Sequence, residues 1–240
     1  MLQVPSGRVF DAYDEQMLRK FVQYGFVRWS EEPITLKSGV QSHVYVFGRE
    51  DLTDHPDLEW LVGRKIAVLV AENAQERSDL KQQCLIGVPT AGTALAQAGS
   101  MVNYIQKRHL GGPSALRVIH RIMREDLKIH GAHPDWVNGK AQPELHTYWT
   151  VDNVVTDGGS KLETQNRLQE SGYPVEDMPS LVFVDRQQGG IVNMEKAGFR
   201  NIVVAYNLLD ITFALGKLEL WPRDAVQAVG EEIEAHQLIS

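Results

Sequence analysis

Five short apolar runs, Cys84–Val88, Ala115–His120, Trp149–Val155, Leu181–Val184 and Ile202–Tyr206, are separated by segments of helical period. Each run is strand-length. None shows the strict apolar/polar alternation of a strand with one wet face, so strands covered on both faces are expected. The intervening Ala-rich stretch after Gly92, Lys161–Glu170 and Ile191–Ala197 have the spacing of helices. The alternation predicts an α/β fold, a central and mostly parallel sheet flanked by helices. Ligands of such sheets bind beyond the carboxyl ends of the strands. The loops after Val88, His120, Val155 and Val184 are therefore expected to share one mouth.

The first fifty residues read differently. Leu18, Phe21, Val22 and Phe26 recur at helical spacing and predict an amphipathic helix over Asp11–Val27. Phe26–Tyr45 is rich in β-branched and aromatic residues and is broken by Pro33 and by Lys37-Ser38-Gly39. It predicts strand, turn, strand, with the hairpin at Ser38-Gly39. Leu58–Asn73 returns to helical period, and Pro222–His236 predicts a last helix with proline in its first turn, read as packing. The 240 residues suit a single domain: residues 1–50 a small helix/hairpin hood, 51–220 the core, 221–240 the C-terminal helix.

Composition narrows the function. The formal net charge of −7 argues against non-specific nucleic-acid binding. Trp29, Trp60, Trp136, Trp149 and Trp221 are scattered, not interleaved with Lys and Arg as a base-stacking platform requires. Cys84 is the only cysteine, which excludes an intrachain disulfide and a thiolate zinc site; its apolar neighbours mark it as a core residue. No apolar run approaches the roughly 20 residues that span a bilayer. A soluble, cytoplasmic protein without membrane or nucleic-acid partners is expected.

The chemistry concentrates in Val151–Glu163. An apolar strand passes through Asp152, turns through Gly158 and Gly159, and opens a helix at Ser160. Glycines let successive N–H groups face one point, and a helix start adds positive potential, so such a turn can hold a phosphate. The Gly-Lys-Ser/Thr order of a Walker loop is missing. On these residues alone, an ordinary strand-to-helix turn with a capping serine stays open as the other reading.

Asp152-Asn153-Val154-Val155-Thr156 before a small-residue turn resembles the phosphoribosyl-pyrophosphate motif of type I phosphoribosyltransferases. Leu162-Glu163-Thr164 and Leu168–Gly172 resemble the orotate phosphoribosyltransferase half of eukaryotic uridine-monophosphate synthase. Three further segments agree in order: Leu36-Lys37-Ser38-Gly39 with Ser42, Ile86-Gly87-Val88-Pro89, and Val184-Asp185-Arg186-Gln187-Gln188-Gly189-Gly190. The last is the most specific. The resemblance spans roughly residues 15–215. It implies the type I phosphoribosyltransferase fold and transfer of phosphoribosyl from phosphoribosyl pyrophosphate to orotate in pyrimidine biosynthesis.

By position, the resemblance puts Asp152 and Asn153 at the ribose hydroxyls and Thr156, Asp157, Gly158, Gly159 and Ser160 at the 5′-phosphate. Thr90, Ala91 and Gly92 fall at the pyrophosphate, and Lys37 at the phosphate and base. Arg186 would pair with the orotate carboxylate, with Tyr45 and Thr156 also in the base site. A loop over Arg124–Gly131 would close on the site, Lys128 countering charge on the leaving group, with Arg124 and His130 beside it. Asp152 and Lys128 are the catalytic residues so implied. Magnesium would arrive on the substrate's own oxygens, not in a protein cage. A homodimer is implied because the loop reaches the neighbouring subunit's site.

The sequence departs from the family at Glu125, where a second lysine is usual, at Asn153 for the second acid, at Asp157 for a small neutral residue, and across Ser42–Val46. Glu125 and Asp157 make the site more negative, Asn153 removes a charged acceptor for the ribose, and the change across Ser42–Val46 alters the base pocket. They leave a second expectation, a relative that uses another base or binds nucleotide or sugar phosphate without turnover.

Overall fold

A computed structural model describes residues 1–36, 39, 41–46, 52–109, 116–127 and 135–237. Its centre is a parallel sheet made by β5 (Gln82–Gly87), β6 (Val118–Ile122), β7 (His146–Val155), β8 (Ser180–Asp185) and β9 (Ile202–Asn207), in the spatial order β6-β5-β7-β8-β9. Ahead of it come a short ribbon, β1 (Leu2–Gln3) and β2 (Val9–Phe10), helix α1 (Ala12–Gln23), the antiparallel pair β3 (Val27–Thr35) and β4 (Gln41–Val46), and helix α2 (Pro56–Glu76). Helices α3 (Ala91–His109), α4 (Gly159–Glu170), α5 (Gly190–Lys196), α6 (Leu208–Lys217) and α7 (Arg223–Gln237) complete the chain.

The apolar runs become strands because both faces of the sheet are covered. Side chains alternate between two layers. Leu85, Trp149, Val151, Leu181 and Phe183 pack into one cluster with residues of α1, α2, α6 and α7. Cys84, Ile86 and Tyr148 face the other way, onto Leu168 of α4, Tyr173 and Met178. Val182 meets Met194 of α5 in a third cluster. Gly87 pairs with Ile122 and Val151, whereas Val155 pairs with Asp185. So β7 and β8 run on past the end of β5, and the connections after β5, β6, β7 and β8 leave from one edge of the sheet.

Several boundaries differ from expectation. Helix α1 stops at Gln23 instead of reaching Val27: Gly25 adopts φ +74°, and Val27 already pairs with Val46 in the hairpin. Pro33 lies inside β3 instead of ending it, within an irregularity of pairing between Trp29 and Ile34, where no ladder N–H is demanded. Strand β6 runs Val118–Ile122, shifted from the expected Ala115–His120, because its register is set by Gln83–Gly87 alongside. The expected turn residues Lys37 and Ser38 and the start of the Ala115 run lie outside the described residues. Helix α6, unanticipated, follows β9 without a loop. In α7, Ala225, Val229 and Ile233 recur every fourth residue and are buried.

Candidate functional site

The turn from β7 into α4 is built around a buried ion pair. Asp152 and Lys161 are both more than nine-tenths buried, with Lys161 Nζ 2.5 Å from Asp152 Oδ2. The same amine donates to the Val154 carbonyl, and Asp152 Oδ1 accepts the Asn153 N–H at 2.8 Å. Gly158, at φ +88°, bends the chain; a Cβ there would lie 3.2 Å from the Gly190 carbonyl oxygen. The helix starts at Gly159, one residue before the expected Ser160, so Ser160 lies inside the first turn and is not the cap. Instead the exposed Asp157 carboxylate accepts the Gly159 N–H at 3.1 Å. The first amide of α4 thus already faces an anion, one supplied by the chain itself. Thr156 is half-buried and Ser160 exposed at this rim.

On the neighbouring strand, β5 leads into α3 by backbone contact. A Cβ on Gly87 would come 2.2 Å from the Gly92 carbonyl oxygen, and one on Gly92 2.2 Å from that of Val151. Val88 N–H donates to Val151 O at 2.8 Å, and Gly92 N–H to Val88 O at 2.9 Å. Gly92 is therefore a point of close approach to β7, its amide engaged within the turn. The Pro89–Thr90 peptide is cis. Thr90 is exposed and Ala91 half-buried, beside the β7 turn. Thr90 Oγ1 lies 3.5 Å from Glu125 Oε2, so the acid that replaces the family's lysine sits against this turn.

Glu125 belongs to a stem in which Met123 bridges Val137. Arg124 donates to the Asp135 carbonyl from Nη1 at 2.9 Å and to the Trp136 carbonyl from its backbone N–H at 2.8 Å. Arg167 of α4 donates to the Glu125 carbonyl at 2.9 Å and stacks its guanidinium over Trp136 at 4.2 Å. Lys128 and His130, between these stem residues, lie outside the described residues, as does Lys37.

The turn after β8 carries Arg186, 2% exposed. Its Nη2 donates to Ser42 Oγ at 2.6 Å and its Nη1 to the Val44 carbonyl at 3.1 Å, which ties the hood strand β4 to the sheet. Glu232 of α7 places Oε1 3.7 Å from Nη2. Burial pulls the guanidinium pKa down, and the nearby Glu232 opposes this. Burial also raises the pKa of the adjacent Asp185 carboxyl, against the Gln187 N–H that it accepts. Tyr45 is half-buried with the Arg28 guanidinium 4.9 Å from its ring, on the face of β4 opposite the buried Ser42 and Val44.

Lys161 and Glu232 were not among the expected site residues. A lysine in the first turn of a helix carries no signal of burial, and Glu232 reaches Arg186 only through the docking of α7.

The fold, with glycine-shaped turns at the ends of two adjacent central strands, is that of the type I phosphoribosyltransferases. Leishmania donovani UMP synthase matches with a TM-score of 0.68 at 20% identity over 92% of this chain and 42% of that one, so the chain spans less than half of that protein. Orotate phosphoribosyltransferase of Aeropyrum pernix matches with a TM-score of 0.56 at 22% identity, covering 86% of this chain and 99% of that one. No family model matches the sequence. Among curated sequences, the orotate phosphoribosyltransferase of Thermosynechococcus vestitus is 30% identical over 156 residues, 65% of this chain and 72% of the relative. That of Nostoc sp. is 28% identical over 183 residues, 76% and 79% of the two chains. The chain belongs to the orotate phosphoribosyltransferase family.

Proposed function

We propose that this protein transfers phosphoribosyl from phosphoribosyl pyrophosphate to orotate: a base nitrogen bonds to C1 of the ribose as its bond to the pyrophosphate oxygen breaks. Orotidine 5′-monophosphate and pyrophosphate are the products. The observation that carries this beyond family membership is the stitching of two turns on adjacent strands. Val88 N–H to Val151 O and the contact of Gly92 with Val151 hold the Thr90-Ala91 turn beside the Asp152–Ser160 turn. A ribose with phosphates at both ends fits two such turns flanking a carboxylate.

In this reading Thr156 to Ser160 take the 5′-phosphate, which replaces the Asp157 carboxylate at the Gly159 N–H. Asp152 and Asn153 accept from the ribose hydroxyls, with Lys161 fixing the Asp152 carboxylate. Thr90, Ala91 and Gly92 line the pyrophosphate, with Arg124 and His130 nearby and Lys128 countering its charge as it leaves. Lys37, Tyr45, Thr156 and Arg186 orient orotate. The chain supplies orientation and charge, not a nucleophile. Magnesium belongs to the proposal as a companion of the substrate, neutralising pyrophosphate oxygens. Among the described residues no group of three or more His, Cys, Asp or Glu could hold a metal. A homodimer is proposed on the family resemblance. No helix among the described residues is long and apolar enough to cross a membrane.

The test is loss of orotate absorbance on mixing protein, magnesium, phosphoribosyl pyrophosphate and orotate. Magnesium-dependent loss with release of pyrophosphate is expected. No turnover at high protein concentration would sink the reading. Heat of binding without absorbance change would point to a protein that binds and does not transfer.

A further inference from the structure

Arg186 is the group expected to recognise the carboxylate of the base, yet a carboxylate already stands beside it. Glu232 comes from α7, near the end of the chain, and its side chain is only 7% exposed. Oε2 accepts the His43 backbone N–H at 2.9 Å, Oε1 accepts from Gln188 Nε2 at 3.2 Å, and Arg186 Nη2 stands 3.7 Å from Oε1. A guanidinium, a backbone amide and a side-chain amide converging on one carboxylate are the donor set that a carboxylate ligand would need.

The three contacts are unequal. Arg186 is bonded firmly to Ser42 and Val44, at 2.6 and 3.1 Å, whereas its approach to Glu232 is beyond hydrogen-bond range. Glu232 therefore contributes charge at this seat more than directional bonding to the arginine. A second carboxylate brought to the same guanidinium meets like-charge repulsion in a buried site unless Glu232 withdraws.

We propose that Glu232 is a specificity-determining residue: it occupies the carboxylate seat at Arg186, and a base bearing a carboxylate binds by displacing it. A base of the same ring without that carboxylate has no such competition. The chain thereby discriminates less in favour of carboxylated bases than Arg186 alone would allow. This inference rests on the proposed transfer to orotate.

The test measures KM for orotate, KM for phosphoribosyl pyrophosphate and KM for uracil, in the wild type and in Glu232→Gln. The amide removes the charge and keeps one of the two acceptor oxygens, enough for the His43 N–H. The orotate KM is expected to fall about tenfold, with no parallel fall for uracil or phosphoribosyl pyrophosphate; a purely structural role would move all three together. Glu232→Asp, which keeps the charge and draws it back by one methylene, should give a smaller fall, and carries the test if Glu232→Gln does not fold. An orotate KM that is unchanged or raised in the folded variants overturns the inference. Absence of wild-type turnover would defeat the proposed reaction instead. In that event, calorimetric titration with orotate decides: tighter binding to Glu232→Gln supports the seat, and equal or weaker binding overturns it.

Discussion

At the scale of single residues, the Asp152–Lys161 pair shows most plainly how the site departs from a simple reading of its motif. Asp152 stands out in the sequence as a carboxylate in an apolar strand just ahead of a glycine turn, and the family resemblance singles it out. Lys161 is not, since its burial is created by α4 lying back on β7. The family's second acid is Asn153 here, so the local charge of Asp152 with Lys161 is balanced within the chain. Replacing Lys161 with Met leaves the Asp152 carboxylate buried without its cation. The expected loss is about 3 kcal/mol, or a fall in melting temperature of roughly 6–12 °C for a chain of this size. Adding Asp152→Asn to Lys161→Met should recover part of it, because the stranded charge is gone. A thermal melt of the three proteins reads both effects. Equal melting of wild type and Lys161→Met would show that the pair contributes nothing net.

The strands of the sheet were legible as elements because burial on both faces leaves no room for polar alternation. Their ends were less so. The start of β6 depends on pairing with β5, and α6 begins directly at the end of β9 with no Gly or Pro to announce it. At the opposite end of the sheet from the site, Asp79 fastens elements that the sequence lists far apart. Its carboxylate accepts from Thr147 Oγ1 of β7 at 2.5 Å, from the Lys81 N–H at 3.0 Å and from Gln83 Nε2 of β5 at 3.3 Å, with Arg77 Nη2 3.4 Å away. Burial alone would raise its pKa; the Thr147, Lys81 and Gln83 donors and the Arg77 charge outweigh it, and the net direction is down. A carboxyl with a depressed folded pKa stabilises the fold above its unfolded value and loses that contribution as pH falls through the folded one. Asp79→Asn is therefore expected to lower stability at neutral pH by about 2 kcal/mol. The difference from wild type should shrink as pH falls below about 4. Denaturant unfolding of both proteins at neutral and acidic pH checks this. A gap that stayed constant, or widened in acid, would be the wrong sign.

For the whole molecule, the sheet is the partition between the cluster under the hood and C-terminal helices and the smaller clusters under α4 and α5. The site sits on its carboxyl edge, so binding there and global stability are linked. Cys84 offers a reporter of that link. It lies in β5, hydrogen-bonded to β6 and β7 on either side, and is fully buried. Burial pushes its thiol up to about 12, with the Arg121 charge opposing. In the folded protein the sulfur is thus both inaccessible and protonated, and the thiolate is the form that reacts. A thiol reagent should label Cys84 only through opening of the central sheet, so the labelling rate in mild denaturant should track the unfolded population measured by circular dichroism. A ligand that binds only the folded state lowers that population by a factor that grows with the ratio of its free concentration to its Kd. Magnesium with phosphoribosyl pyrophosphate at 100 times its Kd should slow labelling by roughly 100-fold. Prompt labelling of the native protein would place Cys84 in a locally open strand. A rate indifferent to phosphoribosyl pyrophosphate would separate the opening of β5 from the turns that its two glycines hold against β7.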